Sequence, residues 1–325
     1  MMGPTVREAV ASATLARDRV VVTARRKVSV DVVEFELARP DGDRLPDWAP
    51  GAHIDVVLPD GVVRQYSLCG DRRDAFRYRI AVQRYPLGRG GSVALHDHVA
   101  VGDMLAFGGP RNNFRLAPAP RYLFVAAGIG ITPIVPMIEQ AEYLRVDWDL
   151  LYLGRNRQRL AFLDELSAHG ERVTVHCADV LGRAELAAWK PVDPRTRVYA
   201  CGPERLLDAI EKWGAQPDGF PPKVERFAAA DQTDVPATQF EVNAARSGIS
   251  TVVGTQETIV TALRRAGIDV LTSCAQGVCG TCETEVLAGR PDHRDSLLDD
   301  AERRTSTCMF PCVSRSRDSL LVLDI

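Results

Sequence analysis

The sequence predicts a multi-domain fold: an antiparallel β-barrel, an α/β domain on a parallel sheet, and a C-terminal α+β domain. Three observations carry this. Short alternating or apolar runs punctuated by turn residues fill the chain to about residue 118. From Arg121, apolar strands alternate with helix-period segments. After residue 238 come a hairpin, an amphipathic helix and a cysteine-rich loop. The expected divisions are a tail over 1–17, a barrel over 18–118, an α/β domain over 119–228, a linker over 229–238 and the last domain over 239–325.

A length of 325 residues with 46% hydrophobic residues fits several packed cores, and a net charge of −3 gives no sign of nucleic-acid binding. No apolar run approaches the roughly 18 residues that span a membrane. The first 18 residues carry Arg7, Glu8, Arg17 and Asp18 and lack the apolar core of a signal peptide. Eight cysteines, crowded toward the C-terminus, suit a metal site in a reducing cytoplasm. The expectation is a soluble cytoplasmic protein.

In the barrel region the strands are Val20–Ala24, Val30–Leu37, His53–Leu58, Arg64–Leu68, Tyr78–Val82 and Met104–Gly108. Turns at Pro40-Asp41-Gly42, Ala49-Pro50-Gly51 and Pro59-Asp60-Gly61 separate the early strands. A helix over Ser92–Val99 follows Gly88-Arg89-Gly90-Gly91, which offers free N–H groups to a phosphate. Arg64 and Tyr66 share one face of their strand, with Ser67 opposite. Arg64 can hold a phosphate in bidentate fashion, and Tyr66 can lie flat on a planar ring.

Next, Tyr122–Ala127 reads as a parallel strand buried on both faces, leading into Gly128-Ile129-Gly130-Ile131-Thr132-Pro133 and a helix from Ile134 to Leu144. Strand, glycine turn and helix place backbone N–H groups beneath a pyrophosphate, although Pro133 stands where a third glycine belongs. Further strands are Trp148–Leu153, Arg172–His176, Val198–Ala200 and Lys223–Phe227, with helices at Phe162–His169 and Arg205–Lys212. Cys201-Gly202-Pro203 repeats the strand-to-helix geometry at the sheet edge where open α/β sheets bind ligands. Gly154-Arg155-Asn156-Arg157 ends the second strand, and an arginine there accepts a 2′-phosphate, which favours NADPH.

The last domain opens with strands Phe240–Ala244 and Ser250–Val253 and a helix Glu257–Ala266 stopped by Gly267. Cys274, Cys279 and Cys282 then stand at C-x4-C-x2-C, the plant-type [2Fe–2S] spacing. Such a cluster takes a fourth thiolate, from Cys308 or Cys312. Zinc is disfavoured because only one C-x2-C pair exists. The six histidines show no ligand spacing and read as surface or satisfied core residues.

Arg64-x-Tyr66-Ser67, Gly128–Pro133 with Cys201-Gly202-Pro203, and the cysteine loop occur in one order. That order resembles the phthalate dioxygenase reductase family, the flavin-dependent reductases of Rieske-type oxygenases, which includes vanillate demethylase reductases. The resemblance extends from about Val20 onward. It selects Cys312, within Pro311-Cys312-Val313-Ser314-Arg315, as the fourth ligand beside Cys274, Cys279 and Cys282. It implies FMN held by Arg64, Tyr66, Ser67, the strand Ala81-Val82-Gln83, the turn Gly90-Gly91-Ser92, and Phe227. It implies a nicotinamide nucleotide on Gly128, Gly130, Thr132, Pro133, Gly154, Arg155, Cys201, Gly202 and Pro203, with Cys201, Ser67 and Thr132 as the catalytic candidates. Ala127 departs from the family's usual glycine, and its Cβ demands an ordinary backbone conformation. The resemblance favours NADH over the NADPH that the arginines suggest.

The implied activity is an NAD(P)H-dependent oxidoreductase passing electrons through FMN and [2Fe–2S] to a partner Rieske-type oxygenase. A monomer suits such a shuttle. The alternative acceptor is a cytochrome P450. The reading without catalysis is an iron–sulfur redox sensor or carrier.

Overall fold

The structure, a computed structural model, describes residues 18–58, 61–88, 90–213, 219–228 and 237–325. The expected tail over 1–17, the turn at Pro59-Asp60 and linker residues 229–236 lie outside this set. The chain divides into two compact units, one through Arg226 and one from Phe227 to Ile325. The two sheets expected as separate domains before residue 226 thus pack as one unit.

The first sheet has six antiparallel strands: β1 (Asp18–Lys27), β2 (Val32–Ala38), β3 (His53–Val57), β4 (Val63–Ser67), β5 (Arg77–Gln83) and β6 (Met104–Arg111). Their order is β4-β3-β6-β1-β2-β5, and a bridge between Leu68 and Ile80 joins the two edges into a barrel. Closure removes the edge-pairing hazard of an open sheet. Alternation explains the filling: Val33, Phe35 and Leu37 of β2 meet Ile54, Val56, Ile80 and Phe107 inside. The opposite faces of β2 and β5 are also buried, through Val32, Glu34 and Ala81, because a second sheet lies against them. Helix α1 (Gly91–His98) connects β5 to β6.

The second sheet is fully parallel: β7 (Arg121–Ala127), β8 (Asp147–Gly154), β9 (Val173–Cys177), β10 (Thr196–Cys201) and β11 (Lys223–Glu225), in the order β11-β10-β7-β8-β9. Helices α2 (Ile134–Leu144), α3 (Leu163–Ser167), α4 (Ala178–Leu181) and α5 (Glu204–Glu211) connect them. One face packs Phe124, Leu150, Tyr152 and Tyr199 against α2, and the other packs Val125, Leu151 and Val198 against Leu207 and Ile210 of α5. Burial on both faces is why these strands read as unbroken apolar runs. The sequence expects α3 to start at Phe162 and β11 to reach Phe227. Phe162 instead takes a left-handed conformation (φ 61°) that holds it outside the helix, and β11 pairs with β10 only as far as Glu225.

The second unit has β12 (Phe240–Ala244), β13 (Ile249–Val253), α6 (Ile259–Arg265), β14 (Thr284–Ala288), the short pair β15 (Pro291–Asp292) and β17 (Arg315–Ser316), α7 (Asp300–Thr305), β16 (Cys308–Met309) and β18 (Leu320–Leu323). Its main sheet runs β13-β12-β18-β14-β16, with β12 and β18 parallel. Thr258 caps α6 by accepting from the Thr261 N–H at 3.1 Å, and Gly267 at φ 89° ends it.

Gly51 shows how tightly the first unit is closed. It sits at φ 90°, and an added Cβ would lie 2.0 Å from the Phe114 carbonyl oxygen. Gly51→Ala is expected to destabilise the first unit by at least about 1–2 kcal/mol from the left-handed backbone alone, read as a lower thermal unfolding midpoint with the iron–sulfur absorbance retained.

Candidate redox centres

In the second sheet the chain runs outward from β7 to β8 on one side and to β10 on the other. Strand order therefore reverses between β7 and β10, and a crevice opens beyond their C-terminal ends, where ligands bind in open α/β sheets. Two loops floor this crevice. Gly128–Ile131 forms a 3-10 turn with Gly128 at φ 54°, and Pro133 (φ −74°) caps α2. Ala127 is extended (φ −131°), the ordinary conformation its Cβ requires. The loops touch: a Cβ on Gly130 would lie 2.2 Å from the Cys201 carbonyl oxygen, and one on Gly202 would lie 2.9 Å from the Ala127 Cβ. Pro203 caps α5.

Not every expected nucleotide contact keeps a free group. Thr132 is buried and its hydroxyl donates to the Ile129 carbonyl at 3.0 Å, leaving it an acceptor only. Gly154 is a glycine for packing, since a Cβ there would meet Leu160 at 2.4 Å. Arg155 is exposed, with its carbonyl accepting from the Asp179 N–H at 2.9 Å. Cys201 is fully buried, and burial pushes its thiol well above the usual range, with Glu225 adding to the rise.

On the barrel, Arg64 lies across the start of α1: a Cβ on Gly91 would sit 2.7 Å from its Cγ and Nε. Gly90 (φ 81°) precedes the helix, which has no acid in its first turn. The guanidinium, one nitrogen of which donates to the Val63 carbonyl at 2.9 Å, thus packs beside the helix N–H groups, and cation and N–H groups together suit the phosphate of a flavin nucleotide. Ser92 Oγ accepts from the Tyr85 N–H at 2.9 Å and retains its proton as a donor. Tyr66 packs on the barrel core, Ser67 is buried opposite His53 across β3, and Phe227 is exposed. In β5 the Ala81 side chain is buried in the core shared with the second sheet. The Val82 carbonyl is engaged by the His96 ring at 2.8 Å. Gln83 donates its Nε2 to Asp31 at 3.0 Å.

In the second unit, Cys274, Cys279, Cys282 and Cys312 are all at least 94% buried. Cys274 and Cys282 are pulled down in pKa. Cys279 and then Cys312 donate to Cys274, and Cys312 donates to Cys282; the donors are pushed up correspondingly. Three sulfur contacts, 274/279, 274/312 and 282/312, gather the four thiols into a set that fits two irons sharing four thiolates. Gln276 directs its N–H at Cys274 Sγ (3.3 Å), and Thr281 Oγ1 lies 3.1 Å from Cys279 Sγ. Gly277, at φ 68°, leaves no room for a Cβ, which would meet Val313 Cγ2 at 2.5 Å. Arg315 fastens the Cys312 segment by donating to the carbonyls of Glu257, Thr238 and Gly254. Cys308 pairs with Ser306 instead, at 3.2 Å. His293, expected to be a surface or satisfied core residue, has a buried side chain with no hydrogen bond to either ring nitrogen; Asp295 lies 3.7 Å away. All eight cysteines are free.

Residues 19–116 match the family described as an oxidoreductase FAD-binding domain, and residues 242–316 match the 2Fe-2S iron-sulfur cluster binding domain. Over 97% of its length the chain is 42% identical to the phenoxybenzoate dioxygenase subunit beta of Ectopseudomonas oleovorans, covering 99% of that protein. The crystal structure titled phthalate dioxygenase reductase, a modular structure for electron transfer from pyridine nucleotides to [2Fe–2S], is 36% identical. That match has a TM-score of 0.68 and covers 94% of this chain and 97% of the other. The chain belongs to the phthalate dioxygenase reductase family. It is an oxidoreductase of the oxygenase-reductase type, with a flavin-binding domain and a [2Fe–2S] domain. An intact type IV self-sufficient cytochrome P450 monooxygenase also matches, at 38% identity and TM-score 0.90, over 100% of this chain. The chain spans 42% of that protein's length.

One group at the crevice has no motif to announce it. Glu225 pairs in register with Cys201 across β10 and β11, its Oε2 is shielded from solvent without a partner among the described residues, and burial raises its pKa to about 8. A carboxyl whose folded pKa is raised holds its proton longer than the unfolded chain does, so stability falls as pH climbs from the unfolded carboxylate range through about 8. Glu225→Gln is expected to match the parent's thermal midpoint near pH 5 and exceed it near pH 9. In the second unit, Cys312→Ala is expected to abolish bound iron and acid-labile sulfide, and Cys308→Ser to preserve both.

Proposed function

We propose that the chain carries electrons from a reduced nicotinamide nucleotide to a separate Rieske-type oxygenase, with FMN on the barrel and [2Fe–2S] on the four cysteines. The observation that carries this reading is the order of centres along one chain: an anion cradle on the barrel, a switch-point crevice in the same unit, and a buried four-sulfur set. FMN held there would supply the link between a two-electron hydride donor and a one-electron cluster.

The residues serve that exchange by holding and excluding. Arg64 and the start of α1 take the flavin phosphate. The turn Gly128–Ile131 offers N–H groups to the nucleotide's pyrophosphate. Burial raises the pKa of both Cys201 and Glu225, which favours their neutral forms at the proposed reaction end. A relative matched along 99% of its length carries the name of a dioxygenase subunit, which supports an oxygenase acceptor. Among the described residues no helix is long and apolar enough to cross a membrane. Free thiols and an oxygen-using partner fit the cytoplasm, and a monomer fits shuttling. NADH is the proposed donor, as the family resemblance implies; exposed Arg155 and Arg157 are the groups that would take a 2′-phosphate if it is NADPH.

Anaerobic titration of purified protein tests this. NADH is expected to bleach flavin and iron–sulfur bands together, at lower concentration than NADPH. Cys279→Ser is expected to leave direct reduction of a small dye intact and remove reduction of an acceptor protein. Bleaching by neither nucleotide would favour the redox sensor.

A further inference from the structure

We propose that residues 158–165 form a strap that aligns the two cofactors for hydride transfer, with Asp31, Arg79 and Tyr152 as positioning residues; this rests on the function proposed above. The strap leaves the C-terminal end of β8, beside the nucleotide crevice, and is fastened to the flavin barrel at both of its ends. At one end the Val30 N–H donates to the Gln158 carbonyl at 3.0 Å, and Arg159 pairs with Asp31 Oδ2 at 3.1 Å. The same oxygen accepts from Gln83, in the strand proposed to edge the flavin, at 3.0 Å, and the Arg84 N–H donates to the Asp31 carbonyl at 2.7 Å.

At the other end Arg79 of β5 donates to Glu165 at 2.8 and 3.2 Å. The guanidinium is itself held by the Cys69 carbonyl at 2.5 and 2.8 Å and by buried Glu34 at 3.4 Å. Between these ends Phe162 is 4% exposed, lies beneath Arg79 with its ring centroid 5.0 Å from the guanidinium carbon, and occupies the left-handed region at φ 61°. A bulky residue is held there only when its surroundings over-determine it.

The strap is also tied to the nucleotide turn. The Ala161 N–H donates to the Tyr152 hydroxyl at 3.1 Å, and that hydroxyl donates to the Gly128 carbonyl at 3.1 Å. Tyr152 is fully buried, so the link is dry. One connected path therefore runs from the flavin strand through the strap to Gly128. Hydride transfer depends on donor and acceptor atoms meeting at near-contact distance, and small misplacements are expensive in rate. The path reaches the nucleotide turn through the Gly128 carbonyl and not through the N–H groups proposed for the pyrophosphate, so its loss changes alignment more than binding.

The test is anaerobic stopped-flow reduction of flavin by NADH in the full-length holoprotein. Tyr152→Phe keeps the packing and removes both hydrogen bonds. Arg159→Gln and Glu165→Gln alter half-exposed ends and serve if the buried variant folds poorly. Each is expected to lower the limiting reduction rate about tenfold and weaken the nicotinamide–flavin charge-transfer absorbance. Half-saturation by NADH and flavin content are expected to stay within about twofold of the parent. Parental rates and charge-transfer absorbance in all three variants, with or without a lower melting temperature, would overturn the strap. A parent protein that neither nucleotide reduces would instead sink the function on which it rests.

Discussion

The arrangement of the first unit depends on one apolar contact, the core shared by the barrel's outer face and the parallel sheet. Val32, Cys69 and Ala81 of the barrel pack in the same cluster as Phe124, Ala126, Ile131 and Cys201. Burial there makes β2 and β5 two-faced strands, with one side filling the barrel and the other its neighbour. At roughly 25 cal/mol per Å² of apolar surface removed from water, such a contact is worth more than the ion pairs around it. The contact also fixes where the crevice opens, since Ile131 and Cys201 belong to the two loops at its floor. Polar groups such as Arg79 and Asp31 then choose one alignment among those that hydrophobic packing alone would tolerate.

The second unit answers a different constraint. Four buried thiols in contact cannot all ionise without compensation, which is why their protons are shared unevenly, with Cys274 and Cys282 pulled down and Cys279 and Cys312 pushed up. N–H groups aimed at sulfur and glycines that leave the loop room are what a negatively charged cluster needs from its surroundings. Arg315 supplies rigidity, with three carbonyls and the Phe240 ring fixing a buried guanidinium a few residues past Cys312.

What the sequence made legible followed from local periodicity. Alternation located the barrel strands, unbroken apolar runs located the parallel ones, and the Cβ of Ala127 called for an ordinary backbone, which the structure shows as extended. The cysteine spacing by itself left Cys308 and Cys312 equal, because the choice depends on a long-range fold that brings residue 312 back to the loop. Gly154 also makes room for Leu160, a packing role with no signal in the local sequence. Thr132 was read as catalytic and has its proton committed to the adjacent turn. Glu225, Asp31 and Tyr152 had no local signature, since each matters through partners far away in sequence. His293 is neither of the two things its sequence suggests, a surface or a satisfied core residue, since the packed structure leaves its ring without hydrogen bonds.

The distribution of charge around the crevice has a physical logic. In the proposed reading the cations stand away from the hydride, with Arg64 for the flavin phosphate on the barrel and exposed Arg155 and Arg157 past β8. The middle is neutral. Burial keeps Cys201 a thiol across the physiological range, and it keeps Glu225 protonated below about pH 8. A thiolate or carboxylate at that point would favour the positively charged, oxidised nicotinamide and hold product in place. An ammonium would oppose its formation. A small polarizable thiol beside a neutral acid does neither, so in the proposed reaction Cys201 would act through its shape and softness rather than as a nucleophile, and the electrostatics of nucleotide binding would stay separate from those of the transferred hydride.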